Sequence, residues 1–412
     1  MSKPATETGS TDNASTDNAS TDAASVDGVS AATRRARTAK DPRSPKAAKD
    51  RDREQPAHTP EYVLEARDVS KHFTVRGALG RTTVVHAVED ATVRLKPGQI
   101  LALVGESGSG KTTLARMLAR FHEPTSGEIV LRGEAVSRSG RARRGYHSEV
   151  QLIFQDPFGS LNPMHRVRYN LDRALRLHHR HLSAAEREER TTQLLERVSL
   201  TPAAEFAGKF PHELSGGQRQ RVVIARALAV EPRVLLGDEP ISMLDVSIRL
   251  EMLNLLQRLR TEDGLALLYI THDIASARYL CDDIAVMYAG QMVESGPKEA
   301  VIASPQHPYT KLLIESSPDP ERGVGDREAF FAGADELGEP PSLIDPPTGC
   351  RFHPRCPFAM KECGEQAPPR AELGDGHWAK CWLHAKGRAG ELADTTHAAA
   401  TAARREALQG AS

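Results

Sequence analysis

Residues 105–112, GESGSGKT, fit the phosphate-binding pattern G-x-x-x-x-G-K-[ST] at every fixed position. Glycines allow the backbone to curl so that successive N–H groups point at phosphate oxygens, and a helix beginning near Lys111 adds its positive end. Lys111 can reach the β- and γ-phosphates, and the Thr112 hydroxyl can ligate Mg²⁺. The pattern predicts a nucleotide site formed by Gly105, Glu106, Ser107, Gly108, Ser109, Gly110, Lys111, Thr112 and Thr113.

Two adjacent carboxylates follow a second apolar strand, in LGDEP at residues 236–240. Asp238 is placed to hold Mg²⁺ through its water shell. Glu239 is the candidate base that polarises the attacking water, an effect worth roughly 10²–10⁴-fold. His272 stands at the end of the next predicted strand, where it can contact the γ-phosphate and orient Glu239. Ligands collect at the carboxyl ends of parallel strands, so we expect these three side chains at the phosphate site.

A second helix start with anion-binding character lies in ELSGGQRQRVVIARAL, residues 213–228. Ser215 and Gln218 have the spacing of a capping box, and Gly216 and Gly217 leave the helix N-terminus bare for the approach of an anion. The helix at Lys111 already serves the first phosphate site. This second end is therefore expected to serve a nucleotide that is held by another subunit.

Four of the five cysteines fall within 32 residues, at Cys350, Cys356, Cys363 and Cys381. Their spacing, C-x5-C-x6-C-x17-C, lacks the tight pairs of structural zinc sites and does not copy the ferredoxin patterns. The spacing alone identifies no metal, although wide arms suit a cluster, whose iron atoms hold their ligands further apart than a single ion does. Zinc remains open because three histidines are rival ligands, namely His353, His377 and His384.

The elements that must position these residues alternate between strand and helix after the first strands, which predicts a parallel sheet with right-handed crossovers. We expect an α/β fold with a mixed, mainly parallel sheet, an antiparallel β-subdomain and an inserted helical subdomain. The predicted segments are a disordered tail (1–59), an ATP-binding domain (60–300, with its helical part at about 156–230), an extension (301–345), a Cys-rich segment (346–386) and a tail (387–412).

Composition limits the function classes. The charge balance, Lys+Arg 54 against Asp+Glu 55, gives a net charge of -1, so no global field favours nucleic acid. The longest apolar runs have six residues and the N-terminus lacks an apolar signal region, whereas a membrane-spanning helix needs about 20 apolar residues. The sequence predicts a soluble cytoplasmic chain whose membrane role, if any, comes through a partner.

Together these motifs resemble the ATP-binding subunit of an ABC transporter, a P-loop NTPase, over residues 61–300. GESGSGKT, the signature LSGGQ at 214–218, the DEP triplet with the later Asp245, and His272 occur in the family's order. Gln155 matches the Q-loop, which contacts Mg²⁺, senses the γ-phosphate and touches the membrane partner. Phe73 matches the aromatic residue that stacks on adenine, although it can equally be a core residue.

Two further stretches, QDPFGSLNPM (155–164) and QHPYTKLLIESSPDP (306–320), resemble the branch of importers for dipeptides, oligopeptides, nickel and some oligosaccharides. The resemblance implies a head-to-tail dimer with a second, homologous ATP-binding subunit, in which ATP lies between one P-loop and the other signature. It also implies two membrane permeases, an extracytoplasmic substrate-binding protein, and a peripheral location on the cytoplasmic face of the plasma membrane.

Many ATPases of this branch carry the C-terminal cysteine pattern, and the resemblance favours a [4Fe–4S] cluster, with zinc as the alternative. Because all phosphate chemistry is assigned to other residues, we expect ATP hydrolysis not to need the cluster. Two other function classes are considered. One is a non-transport ABC ATPase, which would carry paired cassettes or a long coiled coil, and the other is a regulatory ATPase with a metal- or redox-sensing tail.

Overall fold

A computed structural model of the 412-residue chain describes residues 61–76, 82–137, 140–317, 338–396, 399–401 and 403. The predicted disordered tail, residues 1–59, lies outside these residues, as do parts of the predicted extension and of the C-terminal tail. The described strands are β1 (Leu64–Arg76), β2 (Thr82–Leu95), β3 (Ile100–Val104), β4 (Ser126–Leu131), β5 (Glu134–Ala135), β6 (Val150–Ile153), β7 (Val234–Asp238), β8 (Ala266–Thr271), β9 (Asp283–Tyr288), β10 (Gln291–Pro297), β11 (Arg370–Gly374) and β12 (His377–Lys380).

The described α-helices are α1 (Lys111–Leu118), α2 (Gly140–Glu149), α3 (Pro157–Ser160), α4 (Val167–His178), α5 (Ala184–Arg197), α6 (Ala203–Gly208), α7 (Gly216–Leu228), α8 (Val246–Asp263), α9 (Ile274–Leu280), α10 (Lys298–Ala303), α11 (Pro308–Glu315), α12 (Lys361–Glu365), α13 (Trp382–Ala385) and α14 (Ala389–Asp394). Within the described part of the chain, no helix combines the length and apolar character needed to cross a bilayer.

The main sheet has eight strands in the order β11-β12-β10-β9-β3-β8-β7-β6. Its strands from β6 to β9 in that order run parallel, and the remaining neighbours pair antiparallel. Strands β3, β7 and β8 are buried along their whole length, as expected of central strands covered on both faces. A second, antiparallel sheet has the order β2-β1-β4-β5. Both arrangements confirm the predicted fold class.

The helical insert comprises α3 to α7, between β6 and β7. Helices α4 and α5 bury one face each and α7 is buried almost all round, with Leu171 of α4, Leu195 of α5 and Ile224 of α7 fully inside the shared core. Helix α5 begins at a capping box in which the Ser183 hydroxyl and the Glu186 carboxylate each accept from the other residue's backbone N–H. The insert thus presents the start of α7 from a rigid base.

The Cys-rich segment continues the main sheet instead of forming a separate lobe. Strand β12 pairs antiparallel with the outer edge of β10, and β11 pairs with β12. Glu294 on β10 is completely buried and accepts hydrogen bonds from the backbone N–H groups of Gln306 and His307 at 2.8 Å. His377 on β12 also bonds Glu294, with Nε2 and Oε1 2.8 Å apart. One carboxylate therefore joins β10, β12 and the start of α11.

Candidate functional site

The turn between β3 and α1 requires its glycines. Gly105, Gly108 and Gly110 have φ of 153°, 76° and 104°. A Cβ at Gly105 would lie 2.1 Å from the carbonyl oxygen of Met287, and one at Gly110 would lie 2.4 Å from that of Ala87. Side chains would both strain the backbone and collide with neighbouring strands, so the glycines fix this curled turn.

The start of α1 is open to an anion. Gly110 is its N-cap and supplies no side-chain hydrogen bond, which leaves the first N–H groups for a ligand. The Lys111 ammonium is buried and donates to the carbonyl oxygens of Gly105 and Glu106, each at 2.7 Å. Burial lowers the pKa of Lys111, and nearby carboxylates oppose that shift. A buried cation at a bare helix N-terminus fits a triphosphate.

The metal-binding groups predicted from the sequence meet at the end of β7. The Thr112 hydroxyl donates to Asp238 Oδ1 at 2.9 Å. Burial raises the pKa of Asp238, while the hydrogen bond from Thr112 lowers it. A hydroxyl and a carboxylate oxygen side by side are ligands that suit Mg²⁺, so these residues fit the ion.

Glu239 is held by the side chains that follow two neighbouring strands. Gln155 Nε2 donates to Glu239 Oε2 at 2.9 Å, and His272 Nδ1 lies 3.2 Å from Glu239 Oε1. Glu239 has a left-handed backbone, with φ of 49°, and its N–H donates to the Ile270 carbonyl at 3.1 Å. Such a backbone costs about 1–3 kcal/mol, and residues of this kind cluster at functional sites. The structure thus brings His272 to Glu239 as predicted, and Gln155 contacts the other carboxylate oxygen.

A cleft of about 590 Å³ joins the turn, the start of α1 and this carboxylate. Its lining residues are Ala87, Ser107, Gly108, Ser109, Gly110, Lys111, Thr112, Thr113, Gln155, Glu239, His272 and Leu343. Phe73 is absent from this lining, and its ring instead stands edge-on to His122 with centroids 5.3 Å apart. Lys71 Nζ lies 5.1 Å from the Phe73 centroid. The adenine-stacking role of Phe73 remains a prediction.

The start of α7 has the predicted capping box. Ser215 Oγ accepts from the Gln218 N–H at 3.2 Å, and Gln218 Oε1 accepts from the Ser215 N–H at 3.0 Å. A Cβ at Gly217 would lie 2.6 Å from Ile248 Cγ2 on α8. The exposed Asp245 is the N-cap of α8 but makes no side-chain cap hydrogen bond. The signature residues do not line the cleft described above.

The four clustered cysteines line one cavity, together with His307, His353 and several apolar side chains. Burial raises the pKa of Cys350 to about 11 and that of Cys381 to about 12, and it raises the pKa of Cys356 as well. Of the rival histidines, His377 bonds Glu294, and His384 Nε2 lies 2.8 Å from the Gln306 carbonyl oxygen. Neither lines the cavity, so the structure does not support them as metal ligands there.

The thiols lie further apart than the ligands of a single zinc ion would. Among the described residues, the group of three potential ligands within 4.8 Å of one another consists of His72, His86 and Glu89. No three of the clustered cysteines have sulfur atoms within that distance of one another. Four thiolates around one zinc ion, with Zn–S of about 2.3 Å, would lie closer together than this. The four thiols therefore line one cavity without forming a closed site for a single ion.

Two residues beside the phosphate turn were not singled out from the sequence. The Tyr309 hydroxyl accepts from the Glu106 N–H at 2.8 Å. The Arg355 guanidinium bonds both oxygens of the Glu106 carboxylate at 2.9–3.2 Å. HPYT stands out in the sequence as a motif, but no local pattern predicts that its tyrosine contacts the phosphate turn. Arg355 precedes Cys356 directly, which was the one available hint.

Comparison with protein families gives two matches. A model of the ABC transporter family matches residues 88–242. A model described as the oligopeptide/dipeptide transporter C-terminal region matches residues 293–363. The second match ends at Cys363, so it includes three of the four clustered cysteines and ends before β11 and β12.

Curated relatives match along nearly their whole length. The oligopeptide transport ATP-binding protein AppF of Bacillus subtilis is 41% identical over 329 residues, which cover 79% of this chain and 98% of that protein. The dipeptide transport ATP-binding protein DppF of Haemophilus influenzae is 39% identical over 325 residues, covering 78% of this chain and 96% of that protein.

Solved structures share the fold of the nucleotide-binding part. CbiO1 of Clostridium perfringens, part of the ABC transporter complex cbiONQ, has a TM-score of 0.52 at 28% identity, over 59% of this chain and 91% of its own. The dimeric ATP-binding cassette MJ0796, bound to ADP and Pi, has a TM-score of 0.51 at 27% identity, over 57% of this chain and 98% of its own.

Proposed function

The chain belongs to the ATP-binding subunits of ABC transporters, and from this membership we propose that it powers the import of dipeptides or oligopeptides. The substrate class is supported by the matched C-terminal region and by the names of the relatives. Nickel and some oligosaccharides are alternative substrates of the same machinery. A non-transport or redox-sensing ATPase is less well supported. The relatives are named as transport proteins, and this chain matches them along almost their full length.

In the proposed reaction, Lys111 and the N–H groups at the start of α1 hold the β- and γ-phosphates. Glu239 accepts a hydrogen bond from the attacking water, while Gln155 and His272 orient its carboxylate. The water attacks the γ-phosphorus as the bond to the bridging oxygen breaks, giving ADP and phosphate. Mg²⁺, when bound, would neutralise phosphate charge, and Thr112, Asp238 and Gln155 would hold it. The observation that best supports this reaction is that Gln155 and His272 both contact the Glu239 carboxylate.

The signature is proposed to complete the nucleotide site of a second, homologous subunit. Its helix start is capped by Ser215, has two bare glycines and lies apart from the cleft of its own chain. Asp245, whose carboxylate does not cap α8, is the neighbouring polar group for such an interface. Closure of two subunits around ATP would then drive two permeases, with an extracytoplasmic protein delivering substrate. The chain would lie peripherally on the cytoplasmic face of the membrane. It would not bind nucleic acid.

The four cysteines are proposed to hold a [4Fe–4S] cluster, with zinc as the alternative. The support is their shared cavity and their wide separation. The group would add positive charge among thiols whose burial otherwise disfavours thiolate. Anaerobically purified protein should be brown and lose its colour on oxidation. A colourless anaerobic preparation with one zinc per chain would contradict the cluster.

Reconstitution tests the transport function. The chain, a partner ATPase and the permease subunits that co-purify with it are placed in vesicles with a substrate-binding protein, and uptake of labelled dipeptide, nickel and oligosaccharide is compared. Dipeptide uptake that needs ATP and stops in Glu239→Gln is expected. Uptake of nickel or sugar alone would reassign the substrate, and full ATPase activity that permeases and peptide leave unchanged would contradict an importer.

A further inference from the structure

The segment between the first two clustered cysteines reaches back to the nucleotide site through two arginines. Arg351 follows Cys350 and Arg355 precedes Cys356. Both side chains are largely buried, with 7% and 10% of their area exposed. Burying two guanidinium groups is costly unless charged or polar partners meet them, so their partners indicate what the segment stabilises.

Arg355 meets the second residue of the phosphate turn. Its two terminal nitrogens make three contacts of 2.9–3.2 Å with the Glu106 carboxylate, which is the forked geometry that favours arginine over lysine. The Tyr288 hydroxyl accepts a further hydrogen bond from Arg355 at 3.1 Å. Glu106 is simultaneously fixed through its backbone, because its N–H donates to Tyr309 and its carbonyl accepts from Lys111.

Arg351 supports the other side of the same turn. It donates to the Ala289 carbonyl and to Glu89 Oε2. The next residue, Gly290, donates its N–H to the Ser109 carbonyl at 2.8 Å. Thus both ends of the turn, Glu106 and Ser109, are connected to the Cys-rich segment by short polar contacts.

The base of this connection is rigid. The rings of Tyr288, Tyr309 and Phe352 are fully buried and pack together, with centroids 4.4–5.5 Å apart. Phe352 lies between Arg351 and Arg355 in the chain, so the segment is anchored in the core between its two polar arms. Such packing transmits position because interiors are dense and have little freedom to adjust.

The charge of Glu106 explains why this pair should affect ligand binding. A carboxylate within a turn that receives a polyphosphate repels it, whereas a paired carboxylate is neutralised. The same side chain lies close enough to Lys111 to influence its charge. We propose that Arg355 is a positioning residue for nucleotide binding: it neutralises Glu106 and holds the phosphate turn against the Cys-rich segment.

This inference rests on the proposed function in taking ATP as the ligand. Its test is direct binding of MgATP to the full chain, purified anaerobically and followed by calorimetry, so that it does not depend on transport. If the wild-type chain binds ATP but fails to support import, the substrate assignment fails and the test of Arg355 still stands.

Arg355→Met should weaken MgATP binding about tenfold, within the 5–150-fold usual for coupling between sites, with a much smaller change in kcat. Glu106→Gln in the Arg355→Met background should restore most of the affinity, because no unpaired carboxylate remains. A purely structural role for Arg355 predicts no such rescue. Arg388→Met is the matched control, since it removes an exposed Arg–Glu pair of the same region and should leave affinity unchanged.

Unchanged affinity in folded Arg355→Met, or no recovery in the double variant, would overturn the proposal. If Arg355→Met does not fold, Arg355→Lys replaces it. That variant keeps the charge without the fork, and should lose affinity by a smaller factor that Glu106→Gln again relieves. Melting temperature and iron content measured on every variant separate loss of fold or cluster from loss of nucleotide affinity.

Discussion

Glu239 gains its orientation from two side chains on neighbouring strand ends and from a backbone conformation that few residues adopt. Gln155 holds one carboxylate oxygen and His272 the other. An unpaired glutamate would sample several rotamers, and each would place its charge differently relative to the attacking water. The three contacts select one of them before the nucleotide arrives.

Glu239→Gln should lower kcat for ATP by roughly 10²–10⁴-fold, because an amide cannot take charge from the attacking water. ATP affinity should change little, since the phosphate contacts come from the turn and Lys111. Steady-state phosphate release together with ATP binding measures both quantities. Glu231→Gln, at an exposed ion pair, is the control. A Glu239→Gln protein with wild-type kcat would remove Glu239 from the mechanism.

Asp238 illustrates the cost of a metal ligand in the absence of metal. Burial raises its pKa, so the folded state favours the neutral acid relative to the unfolded chain. That contribution to stability is present below the unfolded pKa and is lost as pH rises through the folded pKa. As pH rises, ionisation of this buried carboxyl therefore costs the nucleotide-free protein stability.

Asp238→Asn should raise the melting temperature of nucleotide-free protein at neutral pH by about 2–4 °C, while abolishing Mg²⁺-dependent hydrolysis. The gain should shrink as pH falls and the wild-type carboxyl becomes protonated. Thermal scans at several pH values without Mg²⁺ test this. A gain that is constant with pH would indicate that charge burial is not its cause.

At the scale of elements, the start of α7 is shaped by its packing against α8 as well as by its proposed ligand. Ile248 lies where a side chain on Gly217 would project. A larger residue there would move α7 relative to α8, and the signature with it. The second glycine thus has a packing reason that the motif alone does not reveal.

Gly217→Ala should lower hydrolysis at least tenfold without affecting ATP binding to the P-loop of the same chain, because the displaced helix start no longer fits the opposing nucleotide. Ile248→Ala in the same chain should recover part of the activity by making space. ATPase assays of both variants, with Ile248→Ala alone as control, provide the measurement. Absence of any recovery would mean that the glycine serves the ligand approach alone.

The sequence predicted local elements better than long-range ones. The start of α1 at Lys111 and the cap of α7 follow from residues three or four positions apart, and both are confirmed. Strand β12 was not predicted, because four residues in a proline- and glycine-rich region carry too little periodicity. Its pairing with β10 depends on a burial that becomes evident only in three dimensions.

The candidate site was likewise predictable only where local residue patterns define it. Its motifs record the local backbone that a phosphate turn or a strand end requires. The pair of Arg355 with Glu106 joins residues 249 positions apart, and neither residue type is unusual in its own surroundings. A single sequence therefore contains no pattern that relates Arg355 to Glu106.

For the whole molecule, the extension is part of the sheet that carries the nucleotide site. Strand β12 lies inside the main sheet, with β10 on one side and β11 on the other. Ala379 on β12 is completely buried and pairs with both neighbours. Damage to this strand should therefore reach the ATP-binding part.

Ala379→Pro should destabilise the whole chain by about 3 kcal/mol or more, since proline removes a ladder hydrogen bond inside a sheet. Ala371→Pro, on the edge strand β11, is the matched control and should cost less. Thermal unfolding monitored together with loss of ATP binding gives the comparison. If Ala379→Pro leaves the ATP-binding transition unchanged, the extension is an independent domain.

The pairing of β10 with β12 also has a consequence for biosynthesis. The partner strand emerges from the ribosome about 80 residues after β10, a delay of roughly 4–16 s at ordinary elongation rates. Throughout that interval the nascent chain presents an uncovered β10 edge, and Glu294 lacks its contact with His377. Such an edge is the kind of surface that pairs with other chains. Translation speed over the last quarter of the message, and any chaperone that shields this edge, would then decide how much of the protein folds correctly.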